Sequence, residues 1–323
     1  MAEILRQDQA LEAACRLLDA GELVAIPTET VYGLAADATN GEAVARIFEA
    51  KGRPRFNPLI AHVADRQMAE GIAVFPPLAA RLAEAFWPGP LTLVLPHRQG
   101  SGIHPLVTAG LDTIALRYPR GFGRDVIARL GRPLAAPSAN ISGRVSGTTA
   151  EAVNAALGNR IPLIVDGGPT PVGLESTILK VTDEGLTLLR PGGIAAEEIE
   201  GVVQVPLSRG AKGIEAPGML ASHYAPHARM RLNVAEVMPG EALLAFGPAR
   251  AKGAETAAEV MNLSPSGDLR EAAANLFSHL SRLDAGGAVT IAVEPVPLTG
   301  LGEAINDRLM RAAAPRDSQD EEH

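Results

Sequence analysis

The sequence predicts an α/β protein in which a large domain on a mixed sheet is followed by a smaller α/β domain. Two observations carry this. Short apolar runs of strand length alternate with helical stretches over residues 1–205. The alternation then lapses between 206 and 228 and resumes to about 314. The lapse is too long for an ordinary connection and reads as a linker or a functional lid. The expected divisions are residues 1–205, a linker or lid over 206–230, a second domain over 231–314, and a polar, frayed tail over 315–323.

Taken in order, Leu11, Cys15 and Leu18 repeat at helical spacing, and Gly21 stops that helix. Residues 23–26 form a short apolar strand ending at Pro27. A helix over 41–50 takes Asn40 as N-cap and Gly52 just past its end. Strands are expected at 59–63, 91–95, 113–117, 163–165 and 176–181, with helices at 77–86, 123–130 and 149–157. Pro88-Gly89-Pro90 and Pro191-Gly192-Gly193 mark turns. Beyond the lapse come a strand near 242–246, helices near 254–260 and 268–283, a strand at 288–293 and a helix at 302–313.

Composition narrows the class. An apolar fraction of 46% with 20% charged residues suits a globular chain with a sizeable core. The single cysteine, Cys15, excludes an internal disulfide and sits on the apolar side of its helix as core filler. No signal-peptide pattern opens the chain and no apolar run reaches the roughly 20 residues of a membrane span, so a cytoplasmic location is expected. The net charge of −8 argues against a protein whose main work is gripping nucleic-acid backbones. Lysine is scarce, only four against 25 arginines, which singles out Lys51 as a place wanting a compact ammonium.

The chemistry concentrates on loops. Residues 27–34 read Pro-Thr-Glu-Thr-Val-Tyr-Gly-Leu, and 51–62 read Lys-Gly-Arg-Pro-Arg-Phe-Asn-Pro-Leu-Ile-Ala-His. Together they offer hydroxyls, a carboxylate, three cations, an amide and an imidazole, a set suited to a polyanion beside a small zwitterion. Lys51, Arg53 and Arg55 read either as solvated charges at a helix end or, with Asn57 and His62 behind them, as a phosphate grip at a cavity rim. The loop Pro137-Ser138-Ala139-Asn140-Ile141-Ser142-Gly143 presents hydroxyl and amide at i and i+2, as a strand-mouth site or as an Asx/Ser turn. Arg117 at a strand's end could fork onto a carboxylate or lie on the surface. Asp166-Gly167-Gly168 and Gly173-Leu174-Glu175-Ser176-Thr177 add a glycine-rich turn leading to two hydroxyls. No P-loop appears, and no residue stands out as a covalent nucleophile.

Those segments, with 87–95, 113–119, 165–181 and 189–193, resemble the Sua5/YrdC family of L-threonylcarbamoyladenylate synthases, in family order across the first 200 residues. Ala216-Pro217-Gly218-Met219, Ser222-His223-Tyr224-Ala225-Pro226 and residues 301–309 resemble the longer two-domain Sua5 branch. The second domain is short for that branch, and 247–262 is alanine-rich with weak pattern. The resemblance implies a twisted YrdC-like sheet with a concave cavity and a small Rossmann-like C-terminal domain. It implies that L-threonine, bicarbonate or CO2, and ATP are joined to give threonylcarbamoyl-AMP and pyrophosphate. That product feeds N6-threonylcarbamoylation of adenosine 37 in tRNA through the downstream transferase machinery.

By matching positions, Thr30, His62, Arg117 and Ser176 would hold threonine. Lys51, Arg53, Asn57, Ser138, Asn140, Ser146 and Arg190 would line the ATP and carbonate side, with Lys51 and Arg53 as the charge-stabilising pair. Thr113 is a weaker transfer to the ATP side, and Tyr224 would fold over the mouth from the linker. Mg2+ would accompany ATP. The alternative class is a double-stranded RNA-binding module, which the charge of −8 and the 3% aromatic content weigh against. A carbamoyl-phosphate-using module of hydrogenase maturation would need zinc fingers and an acylphosphatase segment, and the sequence carries neither.

Overall fold

The computed structural model describes residues 1–210, 213–219 and 222–315, and the expected frayed tail lies outside the described residues from 316 onward. The chain divides into two units. One comprises Met1–Ser142 and Ser146–Met219, and the other comprises Gly143–Val145 with the residues after Met219.

The first unit runs β1 (Glu3–Arg6), α1 (Gln7–Asp19), β2 (Val24–Ile26), β3 (Gly33–Asp37), α2 (Gly41–Lys51) and β4 (Ile60–His62). It continues through α3 (Arg66–Ile72), α4 (Pro77–Phe86), β5 (Leu91–Pro96), α5 (Pro105–Thr108), β6 (Thr113–Arg117) and α6 (Phe122–Leu130). It ends with β7 (Leu134–Ala135), α7 (Ala150–Leu157), β8 (Leu163–Asp166), β9 (Thr177–Thr182), β10 (Gly185–Arg190), α8 (Ala196–Val203) and β11 (Leu207–Arg209). The strands join one eleven-stranded mixed sheet in the order β1-β8-β2-β3-β7-β4-β6-β5-β9-β10-β11. The expected mixed sheet is therefore present. β11 is a difference: residues 207–209, read as linker, pair in parallel with β10 at the sheet edge.

Strand alternation sorts the faces. In β4, β5 and β6, the residues Ala61, Leu91, Leu93, Leu95, Ile114 and Leu116 enter the main core. Their alternates Ile60, Val94 and Ala115, with Ile178 and Leu189, form a separate apolar patch on the other face. Ala216 completes that patch and Met219 packs against it, so part of the expected lid lies on the sheet within the first unit. Farther along the same sheet, α1 and α6 cover β2 and β8 through Leu18, Val126, Ile127, Val24, Ile26 and Val165.

The second unit is built on β12 (Arg229–Arg231), β13 (Ala242–Ala245), β14 (Val260–Asn262) and β15 (Thr290–Val293), with α9 (Leu269–Ala285) and α10 (Leu301–Ala313). Its sheet is wholly parallel in the order β12-β15-β13-β14, as a Rossmann-like domain requires. The helix expected near 254–260 is instead a 3-10 turn at Ala254–Thr256 followed by β14. Pairing of Leu243–Ala245 with Val260–Asn262 overrides the helix propensity of the alanines. None of the described helices is long and apolar enough to cross a membrane.

Candidate active site

Sheet register gathers one half of the site. His62 on β4 lies opposite Arg117 on β6, and Arg117 lies opposite Thr92 on β5. Thr92 in turn lies opposite Ile178 on β9, two residues past Ser176. Directly opposed residues share a face, so His62, Arg117, Thr92 and Ser176 form a polar row above the patch of Ile60, Ala115, Val94 and Ile178. Gly192 lets the turn after β10 press against this row. A Cβ there would lie 2.4 Å from Glu175 O and 2.5 Å from both Ser176 C and Thr177 N.

The row is tightly bonded. Thr92 Oγ1 and Ser176 Oγ lie 2.7 Å apart, and Arg190 Nη2 donates to Ser176 O at 2.9 Å. Arg190 Nη1 also donates to Pro217 O at 3.2 Å, tying residues 213–219 to the sheet. Lys180 and Glu215 pair beside it. Arg117 Nη1 donates to Thr30 Oγ1 at 2.9 Å, and Thr28 Oγ1 lies 2.9 Å from Thr30 Oγ1. Arg117 Nη2 sits 2.8 Å from Glu29 Oε2 in an ion pair whose N–H is not aligned on the oxygen. His62 is 3% exposed, and burial together with Arg117 drives its pKa down to about 3. The imidazole is therefore neutral at physiological pH, with Nδ1 3.3 Å from Ile60 O.

The second half is built on the end of α2. Asn40 caps that helix by accepting from Glu42 N and Ala43 N, and Gly52 ends it at φ +61°, a left-handed conformation that suits glycine. Lys51, its last residue, is 1% exposed. Its Nζ donates to Ser138 O and Asn140 O at 2.6 Å each and to Asn140 Oδ1 at 3.3 Å. Three acceptors match the three protons of an ammonium. Burial, and secondarily Arg53, pull its pKa well below the ordinary lysine value, while Glu175 opposes them. Arg53 is buried too, donating to Asn57 O at 3.2 Å and Pro58 O at 2.8 Å.

This corrects the expectation that Lys51 and Arg53 stand at a cavity rim: both are internal, and Lys51 holds the 138–140 loop by its backbone. Asn57 is 1% exposed, yet neither its Oδ1 nor its Nδ2 has a hydrogen-bond partner. An unpaired buried amide is costly, and a polar ligand would relieve it. Asn140 Nδ2 donates to Ile141 O at 2.8 Å, and Ser146 Oγ donates to Glu175 Oε1 at 2.6 Å, one residue before Ser176.

Thr30 and Arg117 thus share one hydrogen-bonded set, Thr92, Ser176 and Arg190 share a second, and His62 lies opposite Arg117 in the sheet register. Lys51, Ser138 and Asn140 form a third set, with Arg53 and Asn57 on the adjoining loop. Thr113 lies apart, at the opposite end of β6 from Arg117, though alternation gives it the same face. Tyr224 belongs to the second unit. It is 1% exposed at φ +64°, its ring stacks on Phe277 at 5.4 Å, and the Arg308 guanidinium lies 5.1 Å from its centroid. Sequence reasoning did not single out Glu29, Thr92 or Glu175 as partners. A lone hydroxyl inside the apolar run Leu91-Thr92-Leu93 is the signal that would have marked Thr92.

Comparison with known proteins bears on this architecture. Residues 16–192 match the Sua5/YciO/YrdC family, described as "Telomere recombination", and residues 194–314 match the Sua5 C-terminal family, described as "Threonylcarbamoyl-AMP synthase, C-terminal domain". A threonylcarbamoyl-AMP synthase of Bacillus subtilis is 41% identical over 97% of this chain and 96% of its own. One from Pyrococcus abyssi is 40% identical over 96% of each. The crystal structure of P. abyssi Sua5 complexed with L-threonine superposes with a TM-score of 0.87 at 37% identity, covering 97% of both chains. Two family matches in tandem, and relatives aligned over nearly their whole length, agree with the motifs that built the site, and the chain belongs to the Sua5/YrdC family in its two-domain, Sua5-type form.

Proposed function

We propose that this protein is an L-threonylcarbamoyl-AMP synthase, joining L-threonine, bicarbonate or CO2, and ATP with release of pyrophosphate. The observation that carries the reading is the buried row His62–Arg117–Thr92–Ser176 with Thr30 and Glu29. It offers a guanidinium, hydroxyls and a neutral imidazole along one face of a sheet, with a carboxylate from the adjoining β2–β3 loop. That set matches a hydroxyl-bearing zwitterion, and the P. abyssi relative has been solved with L-threonine.

In this reading, Arg117 takes the threonine carboxylate, while Thr30, His62 and Ser176 surround the rest of the amino acid. Being neutral, His62 can accept or donate a hydrogen bond without adding charge. The amine adds to CO2 to give a carbamate, and a carbamate oxygen then attacks the α-phosphorus as pyrophosphate leaves. Both steps gather negative charge, which preorganised cations in a dry pocket stabilise. Arg53 and Arg190 are the buried guanidinium groups on the ATP side, with Asn57, Ser138, Asn140 and Ser146 as polar contacts. Thr113 contributes at the outer end of β6. Lys51 acts from behind, fixing the Ser138–Asn140 backbone.

Among the described residues, no group of three or more His, Cys, Asp or Glu could cage a metal ion. Mg2+ in this reading arrives with ATP, liganded chiefly by phosphate oxygens and water, and spreads the charge of the triphosphate. The product passes to the transferase machinery that modifies tRNA, and we place the enzyme in the cytoplasm. A double-stranded RNA-binding role fits poorly, because the arginines of the site are buried within hydrogen-bond networks rather than arrayed for phosphate tracking. The test is pyrophosphate release from ATP. It should require threonine and bicarbonate together, and release that ignores either one would contradict the proposal.

A further inference from the structure

We propose that Glu29 is the ammonium-binding pole of the amino-acid site, ion-paired to Arg117 in the free enzyme and handed over to threonine on binding. The inference rests on the proposed function and extends it to a residue that the family motifs leave without a role. Glu29 stands between Thr28 and Thr30, whose hydroxyls are bonded to each other, that of Thr30 also accepting from Arg117. Its Oε2 lies 2.8 Å from Arg117 Nη2 and accepts from Arg120 N at 3.3 Å. Its other oxygen, Oε1, is buried and has no hydrogen-bond partner.

A carboxylate with one oxygen desolvated and unpaired is an expensive group to keep in a folded core. The pair it makes is also imperfect, since the Arg117 Nη2–H does not point at the oxygen. An α-amino acid carries both complements, a carboxylate for Arg117 and an ammonium for Glu29. Binding would replace one misaligned internal pair with two charge-assisted ones and give Oε1 its missing donor. It would also set the proton inventory. Carbamate formation needs the neutral amine, so the ammonium must first lose a proton. Glu29 is the acidic group placed to receive it as the nitrogen lone pair forms the bond to the carbon of CO2. As that bond forms, a C=O π pair moves onto oxygen, and the nitrogen's remaining excess proton is released to solvent.

The test uses the full chain and isothermal titration with L-threonine and with (R)-3-hydroxybutanoate, which is threonine without its amino group. Wild-type protein should bind the analogue roughly 30-fold or more weakly than threonine, as losing one partner of a desolvated charge pair implies. In Glu29→Gln, threonine should weaken by a similar factor while the analogue is not weakened, because Arg117 is set free. Glu29→Asp should restore part of the threonine affinity, with a KM for threonine below that of Glu29→Gln. Equal weakening of both ligands in Glu29→Gln would reduce Glu29 to a support for Arg117 and overturn the proposal, as would unchanged threonine affinity. If Glu29→Gln lost its folded circular-dichroism signal, the wild-type comparison alone would decide, and an analogue bound as tightly as threonine would overturn it. Failure of wild-type protein to bind threonine at all would instead remove the parent reading.

Discussion

His62 makes acid stability a direct readout of the site. Buried on β4, with Arg117 of β6 opposite, it has a folded-state pKa of about 3, against an ordinary value of 6.5. Between those values the unfolded chain binds a proton that the folded chain does not. Stability contributed by this group is therefore present above about pH 6.5 and is lost as pH falls toward 3. The shift corresponds to about 2 kcal/mol lost between pH 7 and pH 5, growing to about 4–5 kcal/mol at pH 3. For a unit of this size, 2 kcal/mol moves Tm by roughly 4–8 °C. His62→Asn removes the titration while its amide nitrogen can still donate to Ile60 O. Thermal unfolding of wild type and variant at pH 7 and pH 5 isolates the term as a difference of differences, because the other histidines and carboxylates cancel. The wild type should lose about 2 kcal/mol more than the variant. Parallel pH profiles would show instead that His62 is solvated or charged in the folded protein.

Lys51→Met should lower activity by on the order of 100-fold and also destabilise the first unit by about 2–4 kcal/mol, because three oxygens lose their donor. Normal melting with lost activity would place the lysine at an open rim after all. Asn57→Leu should act in opposite directions, raising Tm by removing an unpaired buried amide while weakening ATP binding, as melting and nucleotide titration on one preparation would show. A lower Tm would mean that the amide is satisfied. In pyrophosphate release, valine should be rejected far more strongly than serine, since valine leaves the site's hydroxyl-binding groups unpaired. Serine, lacking one methyl, should fall only roughly 10- to 200-fold. Valine matching serine would contradict a hydroxyl-reading pocket.

Local chemistry made part of this legible in the sequence. The α2 boundaries follow from Asn40 and Gly52, whose capping and left-handed roles are short-range, and the apolar runs of β4, β5 and β6 announce themselves by composition. β3, Gly-Leu-Ala-Ala-Asp, was invisible because small residues carry little strand preference, and only its neighbours β2 and β7 make it a strand. The alanine-rich stretch before β14 misled in the opposite sense, since helix propensity yields to pairing with β13. At the site, residue types pointed to an anion beside a zwitterion, but not to depth. Charged side chains default to the surface, and nothing in the sequence tells that Lys51 faces three oxygens of a distant loop. The meeting of Glu29 with Arg117 likewise brings the loop between β2 and β3 onto the end of β6, which sequence spacing does not encode.

Synthesis of threonylcarbamoyl-AMP requires one bond between threonine nitrogen and inorganic carbon and another between that carbon's oxygen and AMP. Incubating the full-length protein with ATP, Mg2+, L-threonine and 13C-bicarbonate, followed by immediate mass spectrometry, tests it most directly. A single adduct of AMP, threonine and one labelled carbon should form in step with pyrophosphate and be absent when threonine or bicarbonate is withheld. Threonyl-AMP without the labelled carbon, or ATP hydrolysed to ADP and phosphate, would contradict it.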